Sequence, residues 1–224
     1  MPLLKHITLD GILTAAIWKI TEPEEELRRL LAGSLKGPVA ADAFKNESRR
    51  KQWMASRILV SVLAGNRPVE IGFLGNGKPV LKNSSDRISV SHSGDVAAAA
   101  LSPRYPVGID IEQIRERVAR VAGRFLNETE LPPPDLPDRL EKLHVCWGAK
   151  ESLFKLNGDP GVDFRKEIII HSFDYLCTPV QTCQASMTVN NISRVYPVYY
   201  EKIDDYMLVF TYDDVSQMTN DLMT

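Results

Sequence analysis

Cysteine is scarce and long apolar runs are missing. Cys146, Cys177 and Cys183 make an odd count of three, without CxxC spacing. That argues against both a disulfide framework and a zinc site. No run of 18 apolar residues occurs, so no membrane-spanning helix is expected. The first twenty residues, MPLLKHITLDGILTAAIWKI, are interrupted by Lys5, His6, Asp10 and Lys19 and lack a signal-peptide layout. Excess positive charge is also missing. Lys and Arg total 27 against 29 Asp and Glu, a formal net charge of −2. Nucleic-acid binders usually carry a strongly basic domain or stripe, so nucleic acid is not an expected partner. No GxSxG elbow is present, which counts against a serine hydrolase. These absences leave a soluble, cytoplasmic globular protein as the expectation, with no membrane partner.

What is present suits one large or two small domains: 224 residues, 44% of them hydrophobic. Residues 5–10 and 12–20 read as strands around an Asp10-Gly11 turn. Thr21 is placed to cap a helix that opens on Pro23 and three glutamates and ends near Gly33. A second helix is expected from Glu47 to Leu63, stopped by Gly65-Asn66. Short strands follow at 69–74, 78–81, 88–91 and 96–101. SPRYP, 102–106, is the best internal boundary, because the order then begins again. A strand is expected at 107–112, helices at 115–125 and 138–157, and strands near 167–173, 183–189, 194–201 and 206–212. Asp138 with Glu141 fits a capping box, and Asn157-Gly158 fits a C-cap. Asn127 with Glu130 fits another capping box, a structural role. LPPPDLP, 131–137, is a stiff non-helical loop. The doubled element order suggests two halves, 1–104 and 105–224.

Five stretches could carry chemistry. In VGIDIEQI, 107–114, Val107, Ile109 and Ile111 point one way, and Asp110 and Glu112 the other. Carboxylates two apart on a strand repel unless the face is solvated or a cation intervenes, and a hard divalent ion takes such oxygen ligands. In ISVSHSGD, Ser91, His92 and Ser93 stand where a strand turns, offering hydroxyls and an imidazole to a phosphate or forming an ordinary turn. Ala97–Ala100 suggest tight packing against something bulky, such as the long helix. In NESRRKQWMASR, Arg50 and Arg57 share a helix face, either a solvated basic surface or a phosphate clamp. GNGKP, 75–79, is a hairpin turn or a nucleotide neighbour. In CWGAKESLFKL, 146–156, Trp147, Glu151 and Lys155 share a helix face. Gly148 costs about 1 kcal/mol relative to alanine inside a helix, which suggests close approach of another backbone or a ligand.

The order Gly-Lys-Pro, Ser-His-Ser, GIDIE, RFLNETE and WxxKExxxK resembles the 4′-phosphopantetheinyl transferase superfamily, in its longer form known from surfactin synthesis. The likeness runs from about Arg49 to Asp163. It implies an α+β fold of two similar α/β halves, with antiparallel sheets packed as a pseudo-twofold dimer around a coenzyme A cleft. A monomer would then be complete. The implied reaction moves 4′-phosphopantetheine from coenzyme A to a serine of an apo acyl or peptidyl carrier protein. It needs Mg²⁺ and releases adenosine 3′,5′-bisphosphate. Carried over by position, Asp110, Glu112 and Glu151 would be metal ligands and Glu151 the base. Lys155 would neutralise pyrophosphate charge, with Lys150 assisting. His92 and Ser91 would contact the coenzyme A phosphates, Lys78 and Pro79 the adenine side, and Arg50 and Arg57 the 3′-phosphate. Asp159 stands where the family commonly has lysine, and LPPPDLP falls in a region of carrier contact. The competing classes are a Mg²⁺-dependent nuclease or phosphodiesterase built on Asp110 and Glu112, and a carrier-binding protein with a decayed site.

Overall fold

The computed structural model describes residues 3–37 and 40–214. The first half opens with a hairpin, β1 (Leu3–Leu9) and β2 (Leu13–Lys19), around Gly11 at φ 72°. Helices α1 (Glu24–Ser34) and α2 (Glu47–Leu63) follow, then strands β3 (Ile71–Phe73), β4 (Pro79–Leu81), β5 (Arg87–Ser93) and β6 (Val96–Ser102). The second half contains β7 (Val107–Gln113), a short α3 (Arg117–Val121) running into a 3₁₀ turn at Ala122–Arg124, and α4 (Arg139–Asn157). Strands β8 (Ile168–Ile170), β9 (Gln181–Val189), β10 (Ile192–Ile203) and β11 (Tyr206–Tyr212) complete it.

Two antiparallel sheets form, in orders β1-β2-β6-β5 and β7-β11-β10-β9-β8, with β3 and β4 as a separate hairpin. Alternation of side chains along each strand divides the apolar mass into three cores. Ala16, Trp18, Ala97 and Ala99 pack beneath α1 and α2. Cys183, Ala185, Met207 and Val209 pack beneath α3 and α4. Ala15, Ile17, Ala98 and Ala100 of the first sheet meet Val107, Ile109, Ile111, Leu208 and Phe210 of the second. The order of layers is therefore helix, sheet, sheet, helix. The alanine run serves this double burial: it packs on α2 and on the opposite sheet, not on the long helix. Likewise, Val107, Ile109 and Ile111 anchor the core shared by both sheets, not the core under α4.

Most boundaries follow the sequence pattern, and the caps show the differences. Thr21 does not cap α1. Pro23 precedes its first residue, and the Glu22 carboxylate accepts the Thr21 N–H at 3.1 Å. Asp138 makes no side-chain cap bond to α4. The Asn127–Glu130 box is built, with Glu130 Oε2 accepting the Asn127 N–H at 2.9 Å and Asn127 Oδ1 accepting the Glu130 N–H at 3.1 Å. It closes a turn, not a helix. Gly158 takes the left-handed C-cap of α4 at φ 77°.

Edge strands β5 and β7 lie side by side across the joint between the sheets, and three serines of β5 link them. Ser89 Oγ accepts the Ile109 N–H at 3.1 Å. Ser91 Oγ donates to Asp110 Oδ1 at 2.8 Å. Ser93 Oγ donates to Glu112 Oε2 at 2.9 Å and accepts the Gln113 N–H at 3.2 Å. Strand periodicity puts all three hydroxyls on one face, so a single Ser-x-Ser-x-Ser run positions both acids of GIDIE.

Candidate active site

Gly108 allows α4 to lie directly on β7: a Cβ there would fall 1.8 Å from the Ser152 carbonyl oxygen. This approach brings Glu151 and Lys155 to Asp110. Gly148 has a related role, and the protein atoms that approach it belong to side chains, not to another backbone. A Cβ there would lie 2.5 Å from Val209 Cγ2 and 3.7 Å from Asp110 Oδ2.

Asp110 is 3% exposed. Its Oδ1 accepts hydrogen bonds from Lys155 Nζ at 2.7 Å and Ser91 Oγ at 2.8 Å. Lys155 Nζ also reaches the Ile109 carbonyl and Ser91 Oγ, both at 3.1 Å. Asp110 Oδ2 is buried with no partner. A buried carboxylate oxygen normally finds a donor, so this atom marks an unfilled interaction. Burial, then the neighbouring Asp110 charge, pushes the Glu112 carboxyl up, against bonds from Ser93 and Trp147. The same two causes push Glu151 up to about 7. Three acids around one lysine leave negative charge that a cation would neutralise. Among the described residues, no three His, Cys, Asp or Glu side chains already form a closed metal site. A Mg²⁺ site needs only one or two carboxylates beside waters and substrate phosphates, so the free Asp110 oxygen with Glu112 or Glu151 fits such an ion.

Three cavities surround this cluster. One of about 220 Å³ is lined by Lys78, Pro79, Ser89, Phe154 and Lys155. Lys78 Nζ donates to the Leu156 carbonyl, and Asn76 Nδ2 donates to the Gly158 carbonyl at 2.6 Å, so GNGKP docks on the C-terminus of α4. A second, of about 440 Å³, holds His92, Arg49, Gln52 and Glu112. Burial, then the Arg49 charge, pushes the His92 imidazole down. The third, of about 630 Å³, runs from Glu112 past Trp147 and Phe125.

Several expected residues have other engagements. Lys150 does not join the cluster. Its side chain is fully buried, bonded to Glu130 at 2.8 Å and to the Phe164 and Ile168 carbonyls at 2.7 and 2.5 Å. It therefore braces the far side of α4. Lys150→Met should cost about 3 kcal/mol by stranding the Glu130 carboxylate. Denaturant unfolding of this variant and of the Lys150→Met/Glu130→Met double, which should recover part of the loss, checks this. Arg50 is held by both Glu24 oxygens, at 2.8–3.0 Å, and by the Phe44 and Lys45 carbonyls; it ties α2 to α1. Arg57 stacks on Trp53 at 4.4 Å and donates to Ser56 Oγ at 2.9 Å, its pKa lowered to about 10 by burial. No carboxylate pairs with it among the described residues. The Ser91 hydroxyl is committed to Asp110 and Lys155. Arg49 and Gln52 were missed by sequence reasoning, and Ser93, read as a turn hydroxyl open to a phosphate, bonds Glu112 instead. Gln52 donates to the Gly94 carbonyl at 2.7 Å, tying α2 to the turn after β5. The i, i+3 spacing of Arg49 and Gln52 was the available signal. Asp159 only caps its own loop, accepting the Gly161 N–H at 2.8 Å.

The pattern of the 4′-phosphopantetheinyl transferase superfamily matches residues 106–209. The chain is 32% identical over 173 residues to the 4′-phosphopantetheinyl transferase HetI of Nostoc sp., a match covering 69% of this chain and 72% of that protein. It is 31% identical over 135 residues to the 4′-phosphopantetheinyl transferase AcpT of Salmonella typhimurium, covering 58% and 69%. With the 4′-phosphopantetheinyl transferase psf-1 of Bacillus pumilus it shares 38% identity over 89 residues, 38% of this chain and 37% of that one. The chain belongs to the 4′-phosphopantetheinyl transferase superfamily.

Proposed function

We propose that this protein transfers 4′-phosphopantetheine from coenzyme A to a serine of an apo carrier protein. The observation carrying this reading is the orphaned Asp110 Oδ2 amid Glu112, Glu151 and Lys155. The serine oxygen attacks the β-phosphorus of the coenzyme A pyrophosphate. Its bond to the bridging oxygen breaks, and adenosine 3′,5′-bisphosphate leaves. Glu151 takes the serine proton, and Lys155 offsets charge on the pyrophosphate oxygens. Asp110 and Glu112, with Glu151, would hold Mg²⁺, which supplies Lewis-acid polarisation of the phosphoryl oxygens when bound. Lys78 and Pro79 would flank the adenine. His92 and Arg57, joined by Arg49 in place of Arg50, would meet phosphates.

The halves 1–104 and 105–224 would form the pseudo-twofold pair. The meeting of edge strands β5 and β7 supports this, with Ser91 from one half on Asp110 from the other. One chain supplies both sides, consistent with a working monomer. Among the described residues no helix is long and apolar enough to cross a membrane. The nuclease alternative is not favoured, since the curated relatives matched are all named as transferases.

The test incubates the protein with coenzyme A, Mg²⁺ and apo carriers, then reads the carrier mass. Addition of one phosphopantetheine is expected. Coenzyme A binding without transfer to any of several acyl and peptidyl carriers would sink the reading in favour of a decayed site. Asp110→Ala should abolish the Mg²⁺ dependence along with turnover; retained activity at unchanged Mg²⁺ dependence would remove the metal assignment.

A further inference from the structure

We propose that Tyr206 is a positioning residue for the transfer reaction: its hydroxyl holds the Gly94-Asp95 turn, and the turn keeps Ser93 on Glu112 and His92 at its cavity. The proposal rests on the transfer reading, which gives Glu112 and His92 their work. Tyr206 belongs to the second half and the turn to the first. At the start of β11, Tyr206 pairs with Gln113 of β7. From there its hydroxyl donates to Asp95 Oδ1 at 2.5 Å and accepts the Asp95 N–H at 3.3 Å. Only Gly94 and Asp95 join β5 to β6. A Cβ at Gly94, whose φ is 55°, would lie 2.5 Å from the same hydroxyl. The turn is therefore shaped around this one oxygen. Gln52 of α2 grips the Gly94 carbonyl at 2.7 Å, so each half holds one residue of the turn.

Asp95 is exposed, so water could solvate its carboxylate and folding does not require this partner. What the bond fixes is the place of the turn. Ser93, directly before it, donates to Glu112 Oε2 at 2.9 Å and accepts the Gln113 N–H at 3.2 Å. His92, one residue earlier, lines the cavity of about 440 Å³ with Arg49. Ser93, Gly94 and Glu112 line both this cavity and that of about 630 Å³, so the turn is the partition between them. Burial, then the bond to Asp95, pushes the phenol up to about 12, and it stays a donor at neutral pH. Freed from Tyr206, the end of the hairpin can swing, and Ser93 and His92 move with it. A small misplacement made away from the reacting atoms can cost as much as about 10²-fold.

The test compares wild type with Tyr206→Phe, Asp95→Ala and Asp95→Asn. Tyr206→Phe should raise the KM for coenzyme A and the Mg²⁺ concentration for half-maximal rate, each about tenfold, the worth of one hydrogen bond. Its kcat at saturation and its KM for the carrier should stay within about twofold of wild type. Calorimetric binding of coenzyme A without carrier should weaken by the same tenfold. A merely structural role predicts otherwise: unfolding part of the protein lowers the apparent kcat and leaves KM alone. Asp95→Ala, at an exposed position, should reproduce the shift if Tyr206→Phe folds poorly. Asp95→Asn, which keeps an acceptor for the phenol, should restore wild-type constants. Unchanged coenzyme A binding and KM in both Tyr206→Phe and Asp95→Ala, or a loss confined to kcat, would overturn the positioning role and leave the transfer reading intact. Weaker coenzyme A binding by Tyr206→Phe in a protein that transfers nothing would uphold the hold on the turn and overturn the transfer reading.

Discussion

Glu151→Gln should fold as the wild type does and lose carrier modification by about 10²–10⁴-fold, the usual contribution of a positioned base. Gln keeps the volume and hydrogen-bonding atoms of the side chain but cannot take a proton. The variant also reports on the electrostatics of the cluster. Glu151 has its pKa raised from 4.5 to about 7, chiefly by burial and then by Asp110. A carboxyl raised on folding contributes stability that is fully present below its unfolded pKa. That contribution is lost as pH rises through the folded value. Wild type without Mg²⁺ should therefore weaken between about pH 4.5 and 7 relative to Glu151→Gln. At pH 8 the variant should melt higher, and near pH 4.5 the two should coincide. Adding Mg²⁺ at pH 8 should narrow the gap, because a bound cation favours the ionised form. Thermal melts across pH with and without Mg²⁺, beside mass spectrometry of the carrier, check both arms. Near-normal turnover in the variant would remove Glu151 from catalysis.

The elements themselves were legible because periodicity and punctuation agreed. Helix α2 runs from Glu47 to Leu63 and β11 from Tyr206 to Tyr212, both as the pattern predicts. Caps were read less well. Asp138 and Thr21 have suitable side chains, but a cap bond depends on the backbone angle entering the helix, which neighbours set. The destination of an apolar face was also hidden. Alternation says that Ile109 and Ile111 turn inward; it cannot say that a second sheet lies there. The alanine run read as one packed face because alternation between two identical residues is invisible.

At the site, the acids and Lys155 were recoverable because strand and helix periods place them on defined faces. The fates of Lys150, Arg50 and Ser91 were not. Each depends on a partner remote in sequence: Glu130 for Lys150, Glu24 for Arg50 and Asp110 for Ser91. A lysine one residue from Glu151 points about 100° away on a helix, which is why Lys150 faces Glu130 and the β8 region. Arg49 was passed over for its neighbour for the same reason: a one-residue phase error turns the side chain from His92 to α1.

Gly108→Ala should have the largest effect on the fold, about 5 kcal/mol or more. Its new methyl would sit 1.8 Å from the Ser152 carbonyl oxygen, 2.7 Å from the carbonyl carbon and 3.2 Å from the Leu156 N. Ordinary overpacking costs about 1–3 kcal/mol because side chains shift rotamer. Here the obstacle is helical backbone, so α4 as a whole must lift from β7. That motion would pull Lys155 from Asp110, now 2.7 Å apart, and Ser152 Oγ from the Val209 carbonyl, now 3.1 Å. Little soluble protein should be recovered, and what folds should melt far below wild type. Gly123→Ala is the control: nothing lies within 4 Å of a Cβ built there, so its stability should change little. The glycine of GIDIE is thus as much a part of the site as its acids, because the whole cluster depends on how closely one helix can lie on one strand. A Gly108→Ala protein with normal stability would show that α4 and β7 are not packed as described, and the assignment of Glu151 and Lys155 to Asp110 would fall with it.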